Sequence, residues 1–86
     1  MKHAGPAALA RLESLLAELR RRSELVERRP GVFYRRGRAF LHFHEDPQGL
    51  FADLRIAENW ERLPVHDPTD QAVLLATIER SATGTV

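Results

Sequence analysis

Hydrophobic and polar residues alternate through the middle of the chain, between residues 30 and 56. The alternating runs cover residues 32–35, 39–44 and 50–56. Arg36 and Gly37 separate the first two runs, and glycine accepts the positive φ that a tight hairpin needs. Pro47 and Gly49 lie in the loop before the third run. Because successive side chains of a strand point to opposite faces, the pattern predicts three strands of an antiparallel meander.

The alternation gives the predicted sheet two faces of different character. The first face is aliphatic and has to be covered by helices; it carries Leu41, Phe43, Leu50, Ala52, Leu54 and Ile56. On the second face we expect Phe40, His42, His44, Phe51, Asp53 and Arg55, with Phe33 and Arg35 as further candidates. Aromatic side chains exposed on a polar face favour an interaction surface. We therefore take the residues of this second face as candidate ligand or interface residues.

Helices are predicted on both sides of the meander. Leucines recur every three or four residues between residues 9 and 19, which predicts an amphipathic helix from Pro6 to near Arg22. Asp67 is a suitable N-cap and Pro68 a suitable first residue for a second helix, which continues through the apolar residues that follow.

Two further segments permit more than one interpretation. Residues 23–29 fit a short strand or a last helical turn, and residues 60–65 fit a fourth, edge strand or one helical turn. We expect Trp60 in the core or at an interface, since large aromatic side chains chiefly supply buried area.

The predicted fold is a single α+β domain over residues 1–86. It consists of a helix, a three- to four-stranded antiparallel meander and a helix, with both helices on one sheet face.

Composition narrows the class of protein. A chain of 86 residues buries a modest core, so dimerisation is a reasonable expectation. The absence of cysteine excludes disulfides and thiolate metal sites. Residues 1–44 carry ten basic and four acidic side chains (+6), residues 45–86 carry three and eight (−5), and the sum is the net charge of +1. This segregation suits self-association or an anionic partner. We see no targeting signal and no apolar run of about 20 residues, so we expect a cytoplasmic protein without membrane association.

A metal or ligand site is the second function to weigh. His42 and His44 point the same way on a strand, about 7 Å apart, and Asp53 on the next strand could add a carboxylate. Two histidines and one carboxylate form a recognised divalent-metal arrangement. Such a metal is the one cofactor to consider, with hydrolytic or isomerase chemistry, and whether the chain is an enzyme stays open.

Nucleic-acid binding is the third function to weigh. Phe33, Tyr34 and Phe40 lie close in sequence to five arginines, Arg28, Arg29, Arg35, Arg36 and Arg38. Charge next to rings is typical of nucleic-acid surfaces. The helix–strands–helix order also resembles a double-stranded-RNA-binding domain. That resemblance implies a basic start to the second helix, whereas residues 67–71 are acidic here. Nucleic acid is therefore an unlikely partner on the sequence.

The aromatic strand, the HFH run and the GLFADLR segment resemble short uncharacterised bacterial proteins over much of residues 30–80. That resemblance implies no activity. We therefore expect a small cytoplasmic binding or interaction module, a homodimer formed through the sheet face or edge. The ligand or interface residues would be Phe40, His42, His44, Phe51, Asp53, Arg55 and Trp60.

Overall fold

The computed structural model describes residues 1–82, which form a mixed α+β fold around one antiparallel sheet. The strands are β1 (Lys2–His3), β2 (Leu25–Arg29), β3 (Val32–Arg35), β4 (Arg38–Asp46), β5 (Gly49–Ile56) and β6 (Asn59–Pro64). The helices are α1 (Pro6–Arg11), α2 (Glu13–Arg20) and α3 (Pro68–Ala82). The α+β class and the antiparallel sheet are confirmed, but the sheet has more strands than the sequence predicted.

Strands β2 to β6 follow one another across the sheet in chain order. The short strand β1 pairs with β4 on the same edge as β3, opposite His44 and Glu45. Its attachment continues through the Ala4 amide, which donates to the Phe43 carbonyl at 2.9 Å. The chain before the first helix thus becomes part of the sheet.

The first predicted helix is two helices in the structure. Helix α1 ends at Arg11, Leu12 has a φ of −105°, and α2 begins at Glu13. Leu12 is nevertheless buried, so the leucine spacing identified the inward side and missed the break. Of the two ambiguous segments, residues 25–29 form β2 and residues 59–64 form the edge strand β6.

A bulge in β4 changes the facing of one predicted residue. Phe33 pairs with Leu41 and Tyr34 with Ala39, so Phe40 is the extra residue between them. Phe40 is 3% exposed and belongs to the core. The prediction that Phe40 lies on the polar face is therefore wrong, because two residues of β4 occupy the length of one on β3.

The core joins all three helices to one side of the sheet. Its buried members include Leu12, Leu16 and Leu19 from the N-terminal half, Leu74 and Ile78 from α3, and Leu41, Phe43, Ala52 and Leu54 from the sheet.

The Asp67 carboxylate accepts from the Asp70 amide at 2.8 Å, as expected of an N-cap. No helix in the described part of the chain is long and apolar enough to cross a membrane.

Candidate functional site on the open sheet face

The strand register arranges the other side of the sheet, here called the open face, in three rows. The first row consists of Val26, Tyr34, Ala39, Arg55 and Trp60. The second consists of Arg29, Val32, His42, Asp53 and Arg62. The third consists of His3, His44, Phe51 and Pro64. Five residues predicted for this face, His42, His44, Phe51, Asp53 and Arg55, lie on it together with Trp60.

Three imidazoles form a cluster on this face. The ring centroids of His3 and His44 are 4.7 Å apart, those of His3 and His42 5.7 Å, and those of His42 and His44 6.2 Å. Burial lowers the pKa of His42, and the neighbouring imidazoles lower it further. Burial also lowers the pKa of His44, against the opposing effect of the Asp53 carboxylate. His42 and His44 are therefore favoured in their neutral forms.

The carboxylate of Asp53 is held by an arginine of the edge strand. Arg62 donates to both oxygens of Asp53 at 2.8 Å, and this pairing lowers the pKa of Asp53. The Nδ1 atom of His44 lies 3.2 Å from Asp53 Oδ2, but it makes no hydrogen bond of acceptable geometry. Asp53 therefore serves as the counter-ion of Arg62 and only an electrostatic neighbour of His44.

The predicted metal site at His42, His44 and Asp53 is not formed. The three side chains share one face, but both carboxylate oxygens of Asp53 are engaged by Arg62. Among residues 1–82, no group of three or more histidine, cysteine, aspartate or glutamate side chains is arranged to hold a metal ion. The geometry therefore supplies no support for metal-dependent chemistry at these residues.

Among the phenylalanine, tyrosine and tryptophan rings of the open face, Trp60 is the most accessible. It is 43% exposed, its ring centroid lies 5.1 Å from that of His42, and the guanidinium carbon of Arg55 lies 4.6 Å from it. Towards the opposite edge of the sheet, on the same face, the guanidinium carbon of Arg28 lies 4.5 Å from the ring centroid of Tyr34. Two ring–guanidinium pairs thus lie in the first row, one towards each edge of the sheet.

Two further candidates for the polar face lie on the covered side. Phe33 is 1% exposed and belongs to the core. Arg35 stacks on Phe40 at 3.9 Å and donates to the Ser81 hydroxyl of α3 at 3.2 Å. Their facing follows from the register of β3 against β4, in which Phe33 lies opposite the buried Leu41, and the alternation within β3 alone does not reveal it.

Several residues of the face were missed from the sequence, among them Arg62, which binds Asp53, and His3, which lies beside His44. Arg62 could have been found, because it lies two residues after Trp60 on a strand and shares its side. His3 gives no such signal, since a two-residue strand has no period and its position depends on pairing with His44.

Comparison with family models, with curated proteins and with solved structures finds no match for this chain.

Proposed function

We propose that this protein is a small binding module that receives an anionic partner on its open sheet face. The observation that carries the proposal is Trp60, a ring that is 43% exposed beside His42 and Arg55, on the side of the sheet opposite the helical core. An accessible tryptophan held by neighbouring side chains is typical of the centre of a binding surface.

The charge of the face indicates the class of partner. Four arginines lie on it, Arg28, Arg29, Arg55 and Arg62. Three carboxylates lie beside them: Asp46 and Asp53, placed by the alternation along β4 and β5, and Glu58, which lies 3.9 Å from Arg55. One of these carboxylates is already paired with Arg62. The net charge of the open face is therefore positive, and protonation of the histidine cluster would add positive charge. Such a surface attracts an anionic partner.

Heparin, a polyanion without aromatic rings, tests this proposal. The double variant Arg28→Gln/Arg29→Gln removes two cations of the open face, and Arg11→Gln/Arg21→Gln removes two exposed cations of the helical side. We expect only the first variant to elute from heparin at lower salt. Equal elution of the two variants, or no retention of the unaltered chain, would refute the proposal.

Self-association is the second candidate, and the exposed apolar residues at the sheet edges favour it. Val26 on β2 is 53% exposed, Trp60 on β6 is 43% exposed, and β6 has no strand on its outer side in the described residues. The positive surplus opposes face-to-face pairing of two copies, so an edge contact through β6 is the arrangement that fits. Sedimentation at low and high concentration decides between a dimer that Trp60→Ala weakens and a monomer throughout.

A further inference from the structure

A cavity of about 180 Å³ lies at the end of the sheet where the β3–β4 and β5–β6 turns meet. Four arginines line it, Arg35 from the covered side, Arg55 from the open face, and Arg36 and Arg38 around the β3–β4 turn. The core ring of Phe40 also lines it, and the one carboxylate in its wall is that of Glu58. Guanidinium groups present planar forks of N–H donors that match the oxygens of a phosphate group. The positive charge of four guanidinium groups around this cavity exceeds the negative charge of its single carboxylate.

Glu58 neutralises only one side of this cavity. Arg38 donates to its two oxygens at 2.7 and 2.8 Å, and Arg55 lies 3.9 Å from it. Arg35 and Arg36 form no ion pair with a carboxylate of the described residues. Burial, followed by repulsion from Arg36, lowers the pKa of Arg35. Both Arg38 and Glu58 are more than half exposed, so an incoming anion can replace this pair at small cost.

Two tight hairpin turns with residues of positive φ meet at this cavity. Three residues other than glycine have a positive φ in the described chain, namely Arg36 (54°), Ala57 (50°) and Glu58 (73°), and all three line the cavity. A side chain in this left-handed region costs roughly 1–2 kcal/mol. Tight hairpins of this kind normally use asparagine, aspartate or glycine there. Retained strain of this sort concentrates at functional sites.

A ring platform adjoins the cavity. Arg55 belongs to the cavity wall and also covers the exposed ring of Trp60 at 4.6 Å. Tyr34 with Arg28 lies in the same row, three strands away, or about 14 Å at the usual strand spacing. A ligand that places phosphate in the cavity could therefore lay successive rings along this row.

We infer that the open face binds single-stranded nucleic acid, with one backbone phosphate in the arginine cavity and a base stacked on Trp60. The inference rests on the proposed function and names the anionic partner. Phosphates occupy arginine sites while unpaired bases stack on aromatic rings, which is how sequence-tolerant single-strand binding is built. An acidic peptide would satisfy the charge but would leave Trp60 without a stacking partner. The acidic residues at the start of α3, which argued against a double-stranded-RNA-binding domain, are not part of the first row of the open face.

The test uses oligo(dT) long enough to cross the sheet and an abasic strand of the same length. Trp60 is the one tryptophan of the chain, so its fluorescence reports binding directly. We expect oligo(dT) to quench it and to bind roughly tenfold more tightly than the abasic strand. Because Trp60→Ala removes the reporter, its affinity is measured by anisotropy of labelled strands, and we expect it to abolish that difference.

The arginine cavity is tested with Arg36→Gln/Arg38→Gln against the helical-side control Arg11→Gln/Arg21→Gln. We expect the cavity variant alone to weaken oligo(dT) binding, and to reduce the slope of log affinity against log salt by about 0.7 for each phosphate that no longer binds an arginine. Equal affinity of both double variants, or equal affinity of the unaltered chain for oligo(dT) and the abasic strand, would overturn the inference. Heparin retention that depends on Arg28 and Arg29 would then survive, which separates this failure from failure of the proposed function.

Discussion

His3 lies directly opposite His44 in the β1–β4 pair, and their ring centroids are 4.7 Å apart. This contact ties the start of the chain to the centre of the open face. It also brings a third imidazole to the pair that the sequence shows at His42 and His44. The electrostatics of the face therefore depend on a residue about 40 positions away in the chain.

Removing His3 should raise the pKa of His42 and of His44. A charged His3 imidazole disfavours protonation of His42 and His44, so His3→Ala removes a repulsion. Proton NMR titration of the imidazole Cε1–H signals measures the effect. His66→Ala serves as a control, because His66 contacts Phe51 and not the cluster. Unchanged titration of His42 and His44 in His3→Ala would contradict the electrostatic account.

The free energy of unfolding should fall as the pH drops below the ordinary histidine value of 6.5. The pKa of His42 and of His44 is lowered in the folded chain, so just below pH 6.5 the unfolded chain binds more protons than the folded one. His3, Arg29, Arg62 and the N-terminal amine oppose protonation, while Asp53 favours it.

Urea denaturation across this pH range measures that slope. We expect His42→Gln/His44→Gln to flatten it and His66→Gln to leave it unchanged. Stability that rises on acidification from pH 7 to pH 5 would show that the cluster gains protons on folding, the reverse of the account.

Phe40 and Trp60 should differ sharply in their effect on stability. Phe40→Ala removes a core side chain and should cost about 3–5 kcal/mol, since Phe40 is 3% exposed. Trp60→Ala changes a half-exposed ring and should cost less than about 1 kcal/mol. Chemical denaturation measures both. A small cost for Phe40→Ala would indicate that it faces outward, as the alternation of the sequence suggested.

Relief of the strained β5–β6 turn should stabilise the chain. Ala57 has a φ of 50°, so Ala57→Gly removes a steric cost that exceeds the entropy penalty of glycine by roughly 0.5–1 kcal/mol. The matched control, Ala17→Gly on the exposed side of α2, should lose about 1 kcal/mol. Thermal unfolding compares them, and equal destabilisation of the two variants would mean that the turn is not strained.

Much of the fold could be predicted because it depends on local periodicity. The alternation in residues 39–44 and 50–56 placed His42 with Asp53 and separated both from Leu41 and Leu54, as the register shows. Asp67 marked the start of α3 through its own side chain. These features depend on residues close together in sequence.

The remaining features depend on contacts between distant residues. The bulge at Phe40 arises from the pairing of β3 with β4, and it reverses the expected side of one aromatic residue. The arginine cavity needs two turns about 20 residues apart to meet, and the pairing of β4 with β5 brings Glu58 to Arg38. The engagement of Asp53 by Arg62 likewise removed a metal ligand that the sequence alone had offered.

The most direct measurement of the central claim is an NMR titration with heparin-derived oligosaccharide that follows side-chain signals. The account predicts shifts of the Trp60 indole N–H, the His42 ring and the Arg55 guanidinium on the open face. It predicts constant signals for Arg20 and Arg22, which pair with Glu27 and Glu79 on the helical side. Shifts confined to the helical side, or equal shifts on both sides, would contradict the claim that the open face is the binding surface.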